Sequence, residues 1–220
     1  MSKPRALSFG VDMTSVILKS AGPFNMRYPP EHKLFTRRRI VAAASAAFRE
    51  SGVENTGVDE VMRRAGLTHG GFYAHFNDKA QLVAEACADA FDAAVVNLER
   101  IAAQPTAAKR ARLLIDSYLS ARHRDNRGSG CLVVAVGADM ARLDAAGRSG
   151  YARGFARHID RLCEALQLAR DTERNRDRVT HLMSSLVGAL LFARAAETPE
   201  RSEALLISAR RMLRAEFCQR

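Results

Sequence analysis

The chain has 220 residues, of which 47% are hydrophobic and 26% charged, a balance that excludes a disordered or fibrous protein. It has no Trp and only 6% aromatics, and Ala, Leu, Arg and Glu dominate, so an all-α fold is expected. The net charge of +10 points towards a polyanionic partner, nucleic acid above all. It is too diffuse to locate a surface: residues 31–80 hold eight Lys and Arg against six Asp and Glu, residues 81–220 twenty-two against seventeen. Cys87, Cys131, Cys163 and Cys218 lie 44, 32 and 55 residues apart, without a C-x-x-C pair. That spacing excludes a disulfide framework and a zinc knuckle, and it reads as reduced thiols. No run of 18 apolar residues occurs, and Val11 to Leu18 is interrupted by Asp12, Thr14 and Ser15. Neither a membrane span nor a signal peptide is expected, and the cytoplasm is the default location.

Residues 1–25 carry no period and read as a disordered arm, within an N-terminal extension reaching residue 30. After Pro29-Pro30, Ile40, Val41, Ala44, Ala47 and Phe48 line one face of a helix that ends near Ser51-Gly52. Val58, Val61, Met62 and Ala65 predict a short second helix stopped by Gly66. Thr68 can cap a third, with Leu67, Phe72 and Phe76 on its apolar side. Asp78 opens a fourth that runs through Leu82, Ala86, Phe91 and Leu98 to Ile101 and stops at Gln104-Pro105. Thr106 opens a helix buried through Leu114, Ile115, Tyr118 and Arg122 and closed by Gly128. Cys131 to Val136 would serve as a buried strand, but nothing in the chain could pair with it, so a buried helix is expected. Further helices are marked by Tyr151 to Leu166, Val179 to Leu190 and Leu206 to Phe217, about nine in all.

Residues 57–76 have the anatomy of a helix-turn-helix: two turns of helix, a turn at Gly66-Leu67-Thr68, and a second short helix. In such units the second helix enters the major groove with its N-terminal residues at base edges. His69, Gly70, Gly71, Tyr73 and Ala74 are its exposed positions, with His75 near the end. Two early glycines cost the helix roughly 1 kcal/mol each relative to Ala. That cost makes sense where a backbone must approach DNA; otherwise Gly70-Gly71 is simply a loop.

The run Gly66-x-Thr68-x-Gly70, then Phe72-Tyr73-x-His75-Phe76-x-x-Lys79, resembles the DNA-binding domain of the tetracycline-repressor (TetR) family, and the likeness extends over residues 36–86. The resemblance implies an N-terminal three-helix domain at 31–80 and a larger helical ligand-binding and dimerisation domain at 81–220. It implies that Thr56 and Thr68, at helix N-termini, bind phosphate through hydroxyl and backbone N–H, and that Tyr73, His75 and Lys79 contact phosphate too. His69, Gly70 and Gly71 would face the bases, and Phe48, Val61, Phe72 and Phe76 would form the small core. Two positions depart from the family pattern. Glycine at 71 removes a side chain that could read a base, and Gly57 replaces a common hydroxyl residue.

Met26 to Lys33 looks like the opening of many family members, so Met26 is expected to be the natural start; the rival is a basic arm (Lys3, Arg5, Lys19, Arg27) reaching a minor groove. The resemblance further implies a homodimer on a palindromic double-stranded DNA operator, through helices at 175–197 and 200–217. The apolar seam Leu182, Leu186, Leu190, Leu206, Leu213 and Phe217 is expected at the two-fold. It also implies a small-molecule effector, for which Phe91, Tyr118, Met140, His158, Met183 and Phe192 are the candidate lining residues, with Cys87 and Cys131 nearby as candidate thiol sensors. Repression is the family's common mode. No cofactor or metal is expected, and no Ser/His/Asp elbow or phosphate loop points to an enzyme. The alternatives are a helical enzyme or binder that kept this fold and lost DNA, and a basic membrane-surface protein.

Overall fold

The computed structural model describes residues 30–168 and 173–218, and the arm and the Met26 start lie outside the described residues. Ten α-helices and one 3-10 helix follow one another, with no strand among the described residues. The first, α1 (Pro30–Ser51), buries Ile40, Ala44, Ala47 and Phe48 and ends at Gly52, whose φ of 81° is the left-handed geometry of a helix stop. A second, α2 (Val58–Arg64), ends the same way at Gly66, φ 68°. There Leu67 N–H donates to Met62 O at 2.9 Å and Gly66 N–H to Arg63 O at 3.0 Å, and the pair closes the turn. The third helical element, His69–Ala74, is a 3-10 helix, and the Thr68 hydroxyl before it caps nothing.

Asp78 caps α3 (Lys79–Ala93) by accepting from Gln81 N–H at 2.7 Å, while Gln81 Oε1 accepts from Asn77 N–H at 2.9 Å. The single helix expected over 78–101 is interrupted at Ala94, after which α4 (Val95–Ala102) follows. The helix expected from Thr106 to Gly128 is likewise two: α5 (Ala107–Tyr118), and α6 (Ala121–Asp125) capped by Ser120. Leu119, fully buried, turns the chain between them, and Arg122 is exposed, not buried. The ambiguous apolar run is helical, α7 (Leu132–Arg142). Three long helices complete the fold: α8 (Ala145–Ala165), α9 (Glu173–Ala195) and α10 (Pro199–Phe217).

The buried apolar side chains form two clusters. One joins α1, α2 and the 3-10 helix to α3 and α7, through Phe48, Phe72, Phe76, Leu82, Phe91, Val136 and Met140. The other lies among α4, α5, α8, α9 and α10. The seam expected at a two-fold belongs to this second cluster: Leu182, Leu186, Leu190, Leu206 and Leu213 are buried within the protomer, where α9 packs on α10. Both helices also carry exposed apolar side chains: Leu191 and Phe192 on α9, Leu205 and Met212 on one side of α10 and Ile207 on another.

His158 of α8 packs against the Phe91 ring (5.8 Å between centroids) with Nδ1 buried and unpartnered. Burial, with a smaller contribution from Arg161, pulls its pKa down to about 4. The unfolded chain therefore takes up this proton first, and the stability His158 contributes is lost as pH falls from about 6.5 towards 4. Between pH 7 and pH 5 the unfolding free energy should drop by roughly 2 kcal/mol on this account. Urea denaturation of His158→Gln should show that share of the pH dependence gone, with the smaller shares of His75 and His123, also lowered by burial, retained. Gly66→Ala must place a Cβ at positive φ and 3.1 Å from Arg39 Nη2. It should cost about 1–2 kcal/mol in thermal or urea unfolding, and Gly66→Asn less.

Candidate nucleic-acid interface

The segment 57–76 is held by its neighbours more than by itself. Phe72 and Phe76 stack at 5.5 Å and are buried against Phe48, Val61 and Met62, the small core that the family resemblance implies. Arg37 of α1 clamps the far end of the 3-10 helix. Its guanidinium lies 4.2 Å from the Phe76 ring centroid and donates to the His75 carbonyl and to Glu85 of α3, with Nε to Oε2 at 3.0 Å. Arg39 closes the other side by donating to Ala65 O at 2.6 Å.

On this frame the expected contact residues separate. Thr68, His69, Gly70 and Tyr73 are exposed on one surface, Tyr73 at 68%, and Gly71 is half-buried beside them. A Cβ on Gly70 would meet nothing within 4 Å, and one on Gly71 only Met62 Cε at 3.5 Å. Neither glycine has a positive φ, so neither backbone nor packing requires it. Thr56 departs from expectation. It is fully buried, one residue outside the Gly57 N-cap of α2, and its hydroxyl donates to Gly52 O at 2.7 Å. That hydroxyl serves the α1–α2 turn and is not offered to phosphate. His75 is half-buried, with Nδ1 enclosed and unpartnered. Burial, then Lys33, Arg37 and His32, lower its pKa. Lys79 Nζ donates to Val53 O at 2.7 Å, which ties the start of α3 to the α1–α2 turn.

Three site residues were not legible as such. Arg37 and Arg39 sit in a run of three arginines whose helical phase alone does not say which one turns inward. Asp59, in the first turn of α2, reads as an ordinary acid at a helix N-terminus. In the structure its carboxylate is paired with Nδ1 of His69.

The turn between α1 and α2 is also where the helical body grips this unit. Asp139 of α7 accepts from Val53 N–H at 2.7 Å, Arg142 pairs with Glu54 at 3.2 Å and with Asp139 at 2.6 Å, and Arg49 Nε donates to Gly128 O at 2.7 Å. Further in, His123 Nε2 accepts from Cys131 N–H at 3.0 Å while its Nδ1–H donates to Tyr118 O at 2.7 Å, and Arg194 of α9 donates to the carbonyls of His123 and Arg124.

The six residues expected to line an effector pocket do not converge. Phe91 and His158 touch, with Tyr151 at 5.7 Å from Phe91. Tyr118 stacks edge-on to His123 at 4.7 Å with its hydroxyl buried and unpartnered. Met140 and Met183 lie in different clusters. Phe192 lines nothing, being 64% exposed on the outer face of α9. Two clefts open at the surface, of about 340 Å³ between α5, α9 and α10 and about 330 Å³ between α1 and α3. None of the six lines either. Cys87 is ruled out as a reactive thiol, because burial pushes its pKa up to about 12. Among the described residues no group of His, Cys, Asp or Glu could hold a metal ion, and no helix is long and apolar enough to cross a membrane.

Residues 40–86 match the family model of bacterial regulatory proteins of the tetR family. The transcriptional regulator TtgR of Pseudomonas putida is 41% identical over 58 residues, 26% of this chain and 28% of that protein. The chain thus matches little more than a quarter of that relative's length. A TetR transcriptional regulator from Chloroflexus aurantiacus superposes with a TM-score of 0.70 at 20% identity, over 86% of this chain and 98% of that one. AibR, solved in complex with isovaleryl coenzyme A and operator DNA, superposes with a TM-score of 0.58 at 19% identity, over 84% of this chain and all of the other. Identity at that level speaks for the fold alone, whereas the motif from Gly66 to Lys79 lies inside the matched residues. On the strength of that matched segment, residues 40–86 are assigned to the DNA-binding domain shared by the tetR family of bacterial regulatory proteins, and the remainder of the chain shares the fold of such regulators.

Proposed function

We propose that the chain is a ligand-responsive transcriptional repressor that binds a palindromic DNA operator as a homodimer, with residues 31–80 as the reading head and 81–220 as the effector-binding and dimerising body. The observation that carries it is Gly70-Gly71. Two adjacent glycines with no call on them from backbone or packing stand between exposed Thr68, His69 and Tyr73. Their absent side chains serve a close approach from outside, which is what a recognition helix in a major groove requires. Thr68, with a hydroxyl that caps nothing, and Tyr73 would meet phosphates on either side.

Exposed apolar side chains on the two packed helices, Leu191 and Phe192 on α9 and Leu205 and Met212 on one side of α10, support a dimer through α9 and α10. A second copy packing the same face would make a four-helix interface and set two heads about one DNA turn, 34 Å, apart. The effector candidates are Phe91 and His158, which touch, and, apart from them, Tyr118 beside His123 of α6; the buried, unpartnered Nδ1 of His158 carries a cost that a bound hydrogen-bonding ligand would offset. An effector there would act through α6 and α7, whose Asp139 holds the turn at Val53, and so on the spacing of the heads. Such coupling is typically worth on the order of 1–3 kcal/mol. AibR, with an acyl-CoA and an operator in one complex, is a precedent for both partners on this fold.

Selection of bound oligonucleotides followed by footprinting tests the reading. The expected product is a palindrome protected as two half-sites, with affinity falling steeply with salt; flat protection of unrelated sequences would overturn it. Gly70→Ala should leave the fold as stable or more so, by up to about 1 kcal/mol, yet weaken the selected operator at least about tenfold. Phe192→Glu with Met212→Glu should give a folded monomer in light scattering and the same loss of operator affinity; a dimer surviving both would move the two-fold elsewhere.

A further inference from the structure

Asp59 and His69 stand on the two helices of the reading unit, ten residues apart, and their side chains meet on its outer surface: Asp59 Oδ1 pairs with His69 Nδ1. Neither is needed there for packing. The His69 side chain is 52% exposed and that of Asp59 82% exposed. A carboxylate on a surface that meets phosphates lowers affinity for any DNA, whatever its sequence. As an acid in the first turn of α2 it adds only a few tenths to 1 kcal/mol through the helix dipole, and Glu60 beside it already serves that end. The contact with His69 is what distinguishes it.

An imidazole free on a surface presents either nitrogen as donor or acceptor and flips between two ring orientations. A carboxylate at Nδ1 removes that freedom. With Nδ1 carrying its hydrogen towards Asp59, Nε2 is the nitrogen that the carboxylate leaves unengaged. The ring is held from the other side by Tyr73, edge-on at 6.1 Å. We propose that Asp59 is a specificity-positioning residue, resting on the DNA-binding reading above: by fixing the tautomer and orientation of His69, it makes Nε2 an acceptor that reads an exocyclic amine, cytosine N4 or adenine N6, at one base pair of each half-site. Only these amines are donors in the major groove. The arrangement exchanges sequence-independent affinity for discrimination, since the same carboxylate that orders the histidine repels the backbone.

The test compares the full-length protein with Asp59→Ala, Asp59→Asn and His69→Ala at pH 8. The readout is affinity for the selected operator, for every single-base variant of it, and for random-sequence DNA. Asp59→Ala should lose about tenfold discrimination at one position per half-site, the same position that His69→Ala flattens, and the double variant should lose no more. Asp59→Asn, whose amide oxygen can still accept from Nδ1–H, should recover most of it. Random-sequence DNA should bind as tightly or more tightly to Asp59→Ala, which a damaged fold would not do. The proposal is overturned if Asp59→Ala leaves the base profile unchanged or alters a position that His69→Ala does not. Nitrogen-15 spectra of the His69 ring in the DNA-free protein decide the orientation separately: Nδ1–H is expected, lost in Asp59→Ala, and an Nε2–H ring in the wild type sinks the idea whatever DNA does. A wild-type protein that enriches no sequence overturns the DNA reading and this inference together.

Discussion

A six-residue 3-10 helix cannot hold itself in place. Its hydrogen bonds are poorly aligned, and it is too short for cooperative stability in water. The segment His69–Ala74 carries two glycines besides, so its position rests on what grips it from outside. Two devices do so. Phe72 and Phe76 bury one side of it in the core of α1 and α2, and the Arg37 guanidinium covers Phe76 while bonding the His75 carbonyl at its end. Because Arg37 also pairs with Glu85, the same side chain fixes α3 relative to the reading unit.

Besides the buried cluster that joins α1, α2 and the 3-10 helix to α3 and α7, polar contacts meet at one turn. The α1–α2 connection is held at Val53 from both sides, its N–H by Asp139 of α7 and its carbonyl by Lys79 of α3. Gly52 just before it has the left-handed backbone that only glycine adopts freely, and a Cβ there would stand 3.1 Å from Asp139 Oδ2. The turn is therefore sharp, small and tied to α7. Behind α7, Arg194 of α9 donates to the α6 carbonyls of His123 and Arg124, and His123 Nε2 accepts from Cys131 N–H at the start of α7. Helices α6 and α7 are thus joined to Val53 through the side chains of His123 and Asp139, in hydrogen bonds about 3 Å long. A path built this way has the physical means to convert a change in the body into a change in the head.

How much of this could be read from residues depends on whether one residue's neighbours in sequence decide its role. Ile40, Phe48, Val61, Phe72 and Phe76 lie at helical spacing around Gly52 and Gly66, and both their burial and the turns follow from periodicity and glycine alone. Helix breaks were harder. Nothing at Ala94 marks an interruption, since alanine favours helix, and the break answers to packing on α8. The α9–α10 seam illustrates a deeper ambiguity. These helices have apolar residues on two faces, and pattern cannot tell the face that meets its own chain from the one left to a partner. Leu186 and Leu190 proved to be inside, while Leu191 and Phe192, one step along the same helix, are outside. Thr56 failed for a similar reason: a hydroxyl at a helix start can bond phosphate or its own turn, and here Gly52 O lies 2.7 Å away.

Asp59 shows what lies beyond any local pattern. Its sequence neighbours give it a sufficient role at the start of α2, and only the tertiary approach of the second helix gives it another. The same geometry bears on Gly71, where the family's usual small side chain is missing. On the proposed reading, with no side chain at 70 or 71, His69 would be the first side chain of the second helix to reach a base edge, flanked by backbone. A reader reduced to so few side chains gains from each one being held still, because an untethered ring loses orientational freedom on binding and returns less discrimination. The glycines and the carboxylate thus belong to one solution: the backbone comes close, and the histidine that remains is held in one orientation.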